Sequence, residues 1–388
     1  MQTKSSHIGL NPNLLIVFAV TLTGIMGVSS VTPILPTVAY EFNLSPEQSA
    51  LLITVFTLPG VFLTPVFGIL ADWYGRRRVL VPVLTLFGLA GTACFYAQEF
   101  STLLVLRTLQ GIGAASLGAM NVTIISDLFR GQDRTTALGY NSAVLSIGAT
   151  LYPAIGGSLA LLGWRYPFLL PILAFPTALL VLVKLDSPKT AQSDDVRAYF
   201  TAVFRSLRSR KIRTMFLLST STFLLLYGPL LTFLPFYMAN RFASDSLTIG
   251  IVLATSAIGN VISGATLGRL VKRFTSVELL LISYLVYAFA LAIIPFMPQA
   301  YWLVVPSMLF GIGIGINNPN VQTLIAKSVR PEQRAAILSI NGMVLRLGQT
   351  TGPLLMAFLF AVAGPDGSYW VMSAMALAIF GWLRHLVR

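Results

Sequence analysis

Gly111-Ile112-Gly113, Arg130, Arg134, Asn141, Gly148 and Pro153 return later in the chain as Gly311-Ile312-Gly313, Arg330, Arg334, Asn341, Gly348 and Pro353. The offset is 200 residues throughout. Aligned without gaps, residues 111–157 and 311–357 agree at 14 of 47 positions. That exceeds what shared composition returns, so the chain is read as an internal duplication of one structural unit.

The nature of the unit follows from composition. Of 388 residues, 55% are hydrophobic and only 10% charged, with a mean hydropathy of +0.79. A soluble domain carries roughly a quarter charged residues, and this chain has too few to cover a water-facing surface. A soluble enzyme, a disordered chain and a disulfide scaffold are excluded. The single cysteine, Cys94, has no internal partner. The two histidines, His7 and His385, stand at opposite ends, so no histidine-based metal or catalytic site is expected.

Apolar stretches long enough for a ~30 Å bilayer core recur at 14–35, 47–69, 79–97, 101–124, 136–160, 166–184, 212–237, 247–268, 277–296, 301–324, 335–361 and 368–386. Twelve transmembrane helices are therefore predicted, an all-α polytopic fold of two pseudo-symmetric six-helix bundles. The units are 1–185 and 212–388, joined by a charged linker over 186–211. No small-residue cleavage site follows the first apolar stretch, so it is read as a retained helix. Ser45-Pro46-Glu47-Gln48 reads as a helix start, with a capping serine and proline at the first position. Glycine and proline, 31 and 21 residues, fall largely inside the spans. In a membrane bundle glycine permits close packing, and neighbouring groups satisfy a proline break.

An even number of spans puts both termini on one side. All but four of the 26 basic residues fall on that side under these boundaries. Arg165 and Arg241 lie opposite, and Arg107 and Arg346 lie inside spans. The positive-inside rule makes both termini cytoplasmic in an inner or plasma membrane. The net charge of +13 is thus a topology signal and not a nucleic-acid footprint. Two halves repeated in the same direction are the parallel-repeat transporter plan, with a site near the midplane between them.

The loop after the second span reads Gly68-Ile-Leu-Ala-Asp72-Trp-Tyr-Gly75-Arg76-Arg77-Arg78. Gly75 permits a tight turn, and Asp72 can pair with Arg76 at a helix end. Arg107-Thr-Leu-Gln110-Gly111 and Gly148-Ala-Thr-Leu-Tyr152-Pro153-Ala-Ile-Gly156-Gly157 follow in spans 4 and 5. Together these stretches resemble the signature loop, the buried-arginine motif and the drug-antiporter motif of the major facilitator superfamily. The resemblance covers almost the whole chain. Tyr152 replaces one glycine of the antiporter motif, whereas the second half keeps its equivalent as Gly352, followed by Pro353.

The resemblance implies a twelve-helix drug:proton antiporter-like carrier working by alternating access. It implies that Asp72, Arg76 and Asp127, with Gly68 and Gly75, form a latch closing the halves in the outward-facing state. Arg107 would serve coupling or substrate binding. Gly148, Pro153, Gly156 and Gly157 would shape a bend at the interface. The second half has Lys272 where the first has Asp72, so the second latch lacks its acid.

All thirteen acids lie in loops or at helix ends. Proton-coupled carriers use an intramembrane acid as a relay, and none is found here, so a proton gradient enters only as an implication of the family. Arg107 and Arg346 are the opposite case. Arg346 lies eleven residues into span 11, or ~16 Å at the helical rise, near the bilayer centre. A buried guanidinium needs a carbonyl, water, a dipole or an anion; an anionic substrate group and backbone carbonyls are both open as partners. In the family's fold, helices 1, 4, 7 and 10 line the cavity. The candidate substrate-binding residues are Arg107, Arg346, Asn121, Met26, Phe223, Tyr227, Asn318, Gln322 and Gln349.

The reading is a monomeric efflux carrier for small amphiphilic organic compounds, neutral or anionic, in contact with membrane lipids. It has no cofactor, no metal and no nucleic-acid partner. The alternatives are a lipid or lysolipid flippase, whose phosphate would meet the same arginines, and a non-transporting membrane scaffold. No nucleophile–base pair can be assembled, so an enzyme is not expected.

Overall fold

A computed structural model describes residues 9, 11–186, 209–329 and 334–387. Almost all of the predicted 186–211 linker lies outside the described residues. Ten helical stretches long and apolar enough to cross a membrane come first: α1 Pro12–Glu41, α2 Pro46–Tyr74, α3 Arg76–Tyr96, α4 Phe100–Leu128, α5 Gly131–Ala160, α6 Tyr166–Lys184, α7 Arg210–Phe242, α8 Ser246–Leu270, α9 Ser276–Phe296 and α10 Ala300–Ser328. The last helical run, Arg334–Val387, is two helices broken at Gly364, whose φ of 72° only glycine adopts freely. These are α11 (334–363) and α12 (365–387). The twelve predicted spans are all present, with ends moved by a few residues. Among the described residues there is no strand.

The 200-residue offset extends to the helix starts. α2 and α8 begin at Pro46 and Ser246, α3 and α9 at Arg76 and Ser276, and α4 and α10 at Phe100 and Ala300. The cap read at Ser45 forms: Gln48 N donates to Ser45 Oγ at 3.3 Å, and Ser45 N donates to Gln48 Oε1 at 3.0 Å. Gly75 ends α2 with φ 92°, the tight turn expected before Arg76.

The repeated Gly-x-Gly has a packing cause. A Cβ on Gly111 would meet the Phe56 backbone of α2, with Phe56 Cα at 3.0 Å, and one on Gly113 would meet Val83 O and Phe87 N of α3 at 2.7 Å. In the second half, Gly311 faces the Ser256 backbone of α8 and Gly313 the Tyr287 ring of α9. In each half the fourth helix is wedged between the second and third, and the two glycines let it touch both. The repeated asparagines also act alike. Thr21 on α1 donates to Asn141 Oδ1 at 2.6 Å, and Ser219 on α7 donates to Asn341 Oδ1 at 2.7 Å.

Buried apolar side chains form two clusters. One runs from Leu14 to Leu185 with Phe236 added; the other runs from Ile212 to Leu383 with Ala50 added. The outer surface is apolar instead: Phe62, Val105, Phe289 and Phe358 are all more than half exposed. Lipid, not water, is the solvent that such a surface fits.

Candidate functional site

The seam between the halves is made by α5 against α8 and α2 against α11. Gly157 lies against the Ser246–Leu247 backbone, with Leu247 Cα 2.9 Å from where its Cβ would stand, and Gly250 lies against the Pro153 carbonyl. Gly148 and Gly156 face α1 instead, at Ile25 and at the Ser30 backbone. The adjacent pair Gly156-Gly157 thus serves two helices at once. The Thr37 and Ser246 hydroxyls are 3.0 Å apart across the same seam. Gly352 packs within the second half, against Leu224 and Gly228 of α7, and Pro353 follows inside α11.

These cross-half contacts lie on the face away from the termini or at mid-depth. Toward the face that carries both termini, no side-chain hydrogen bond or ion pair among the described residues joins the halves. A Cβ placed on Gly68, Gly139, Gly264, Gly268 or Gly342 would meet nothing within 4 Å. Among the described residues the seam is thus bridged at mid-depth and on the opposite face, and is uncovered toward the terminal face.

The two buried arginines part company here. Arg107 is 0% exposed. Its Nη1 donates to Gly27 O at 2.8 Å and Gln110 Oε1 at 2.7 Å, and its Nε donates to Leu52 O at 3.4 Å. The guanidinium carbon lies 4.3 Å from the Phe56 ring centroid. These partners lie on α1, α2 and α4, so Arg107 ties together the interior of its own half. Arg107→Ala would leave carbonyls and an amide unpaired and remove the cation–π contact. It is expected to lower stability by roughly 2–5 kcal/mol, read as a lowered thermal unfolding midpoint in detergent.

Arg346 points across the seam. Its Nη2 donates to Ala114 O of α4 at 3.1 Å, and its side chain fills the space that a Cβ on Gly60 of α2 would take. One turn further on, Thr350 Oγ1 donates to Thr57 Oγ1 at 3.0 Å. Arg346 is partly exposed, and among the described residues its hydrogen bond is the one across the seam that lies nearest the uncovered terminal side. Its repeat mate on α5 is Ser146, so the charge belongs to one half only.

The other candidate side chains divide in the same way. Met26 and Asn121 are 1% exposed, and Asn121 Nδ2 donates to Thr21 Oγ1 at 2.7 Å. With Arg107, they are packed inside the first half and do not reach the cavity in this arrangement. Phe223 and Tyr227 are partly exposed, with ring centroids 6.3 Å apart, and Tyr227 packs against the core of the opposite half. Gln349 is partly exposed; Gln322 is exposed and donates to Asn318 Oδ1 at 3.2 Å. Asn320 is buried and Asn318 partly exposed, and the asparagine that bonds to other helices is Asn317. It accepts from Thr222 at 2.9 Å and donates to Ser283 at 2.8 Å. One residue is 100° around a helix, which the span's short apolar repeat did not resolve.

Three features of the cavity wall were not legible beforehand. α4 is interrupted between Ala114 and Leu117, α1 between Ser29 and Leu35, and α7 widens into a π-helix at Leu226–Phe233 around Pro229. Gly118, just past the α4 break, is exposed, with nothing near it.

The predicted latch residues also meet. Arg76 Nη1 lies 2.5 Å from Asp72 Oδ1, and its Nε lies 3.3 Å from Asp127 Oδ2; Arg76 itself is 4% exposed. All three belong to the first half, on its terminal face. Among the described residues every acid stands at a helix end or in a loop.

Sequence comparison matches the Major Facilitator Superfamily model at residues 17–243 and 230–388. The chain is 27% identical to the bacillibactin exporter of Bacillus subtilis over 372 residues, covering 90% of each. It is 25% identical to the class H tetracycline resistance protein of Pasteurella multocida, covering 95% of each. Its fold superposes on a crystal structure of the nucleoside transporter NupG with a TM-score of 0.83 at 13% identity, covering 97% of this chain and 100% of that one.

Proposed function

Because the chain belongs to the major facilitator superfamily, and is accordingly a multi-pass membrane transporter and not an enzyme, we propose that it exports small amphiphilic organic compounds by alternating access and favours neutral or anionic ones. The observation that carries the charge preference is Arg346: a guanidinium at the end of the open cavity, facing no carboxylate among the described residues. The relative named as a bacillibactin exporter supports the direction. Phe223 and Tyr227 supply an aromatic wall and Gln349 and Gln322 polar contacts, the usual make-up of a small-molecule cavity.

In this reading both termini are cytoplasmic, and the present arrangement is inward-facing. Rocking of the halves would break the Gly157–Ser246 and Thr37–Ser246 contacts and bring the terminal ends of α2, α5, α8 and α11 together. The Asp72–Arg76–Asp127 cluster would then face the second half and hold it, the role of a latch in the outward-facing state. With no acid deep in a span among the described residues, any proton coupling would act through these edge carboxylates. The carrier acts as a monomer in contact with lipid.

The test is uptake into proteoliposomes under an imposed pH gradient, with 2-naphthoate, 2-naphthamide and a naphthyl amine as probes. Anion and amide flux exceeding amine flux is the expected result. Amine transport at equal rate, unchanged by Arg346→Ala, would overturn the charge preference; flux indifferent to the gradient would remove proton coupling.

A further inference from the structure

The seat of Arg346 is built from two pieces of the first half. The first is the break in α4. Helical bonding stops at Ala114 and resumes where Met120 N donates to Ser116 O, which leaves the carbonyls of Ala114 and Ala115 without helical partners. Thr64 Oγ1 of α2 takes the Ala115 carbonyl at 2.7 Å, and Arg346 Nη2, from the other half, takes the Ala114 carbonyl at 3.1 Å. The second piece is Gly60. A Cβ there would stand 2.5 Å from Arg346 Nη1 and 2.7 Å from Nε, as well as against Cδ. The guanidinium therefore lies against a bare stretch of α2 with one hydrogen bond to a neutral acceptor.

We propose that Gly60 and the Ala114 carbonyl are positioning elements that park Arg346 across the seam in the empty carrier, and that an anionic substrate draws the guanidinium out of this seat, so that occupancy frees the halves to close on the terminal face. The proposal rests on the anionic-substrate reading above. Its physical basis is the difference between the two partners. A carboxylate offers a charge-assisted, two-pronged bond about twice as strong as a bond to a neutral amide oxygen. A ligand shifts a two-state equilibrium only through contacts that differ between the states, and the Arg346 tie is such a contact. The neutral Thr57–Thr350 bond beside it has no charge for the anion to compete for, so it remains in place.

A reporter for closure is available in the seam's own register. Pro153 meets Gly250 and Gly157 meets Ser246, so the same pairing carried along α5 and α8 sets Gly139 opposite Gly264, where both stand in open space. In a Cys94→Ser background, Gly139→Cys and Gly264→Cys would be cross-linked with a short bis-thiol reagent, with and without 2-naphthoate or its neutral analogue 2-naphthamide. The parent pair should cross-link at least about fivefold faster with naphthoate and not with naphthamide, the low end of ordinary site coupling. Gly60→Ala, which blocks the seat but keeps the charge, should cross-link fast without any ligand and gain little from naphthoate. It should also bind naphthoate several-fold more tightly, a sign opposite to that of structural damage. Arg346→Lys keeps a charge but not the flat fork and should also lose the naphthoate effect.

A Gly60→Ala protein with parental naphthoate affinity and a parental naphthoate effect overturns the proposal and leaves the anionic reading standing. A parent that neither binds nor transports naphthoate overturns both. If Gly60→Ala does not yield folded protein, Arg346→Lys decides alone, and an unchanged naphthoate effect overturns the proposal.

Discussion

Arg346→Gln is expected to lower kcat/KM for an anionic amphiphile by roughly 10- to 150-fold, the equivalent of the ~1.5–3 kcal/mol that a hydrogen bond to a charged group contributes. The same change should leave the thermal unfolding midpoint unmoved or raise it. A guanidinium at mid-depth with one carbonyl partner is poorly compensated for desolvation, so its removal relieves a cost while removing a ligand contact. Opposite signs for activity and stability separate a binding residue from a packing residue. Arg107→Ala is expected to move the other way, with stability falling first, because Arg107 satisfies three helices of its own half. Transport assays paired with thermal unfolding on the same preparations check both. Equal transport of naphthoate by the parent and Arg346→Gln would remove Arg346 from the site.

The second large effect concerns packing. Gly111→Val and Gly311→Val are each expected to cost more than about 4 kcal/mol, the range reached by severe overpacking, and to yield little monodisperse protein. In both cases the added atoms meet main chain and not a movable side-chain tip. The Phe56 backbone of α2 confronts position 111 and the Ser256 backbone of α8 confronts position 311, with Ser256 C 2.6 Å from the Cβ site. A helix backbone cannot retreat without dislodging its own neighbours. Gly118→Val on the same helix as Gly111 is the control. It meets open space, so its stability should stay within about 1 kcal/mol of the parent. A Gly111→Val protein as stable as Gly118→Val would show that α2 and α4 are not in close contact.

Much of the site was only half legible because helical periodicity places a side chain on its own helix and says nothing about what lies opposite. Arg107, Gly111, Ala114, Gly118 and Asn121 lie on one side of α4 by spacing alone. The interruption after Ala114 splits them: Gly118 stands exposed with open space beside it, whereas Arg107 and Asn121 turn into the bundle. The break follows no proline, and its carbonyls are satisfied by Thr64 and Arg346, which are distant in sequence. The ten-residue glycine- and asparagine-rich run Gly311–Asn320 likewise hid which asparagine bonds across to other helices, since Asn317, Asn318 and Asn320 differ only by rotation.

What the sequence determined by itself are the properties set by local chemistry and by counting. Twelve apolar lengths fix the spans, the 200-residue repeat marks the two halves, and the glycine, proline and charged motifs fix the family. The tertiary structure alone decided which charge is structural and which is available. Arg107 and Arg346 are the same residue type inside apolar helices. Packing surrounds one with the carbonyls of its own half and leaves the other partly exposed at the seam, tied to the opposite half by one hydrogen bond. That difference depends on helices brought together from 55 to 232 residues away, a distance over which sequence patterning carries no information about contact.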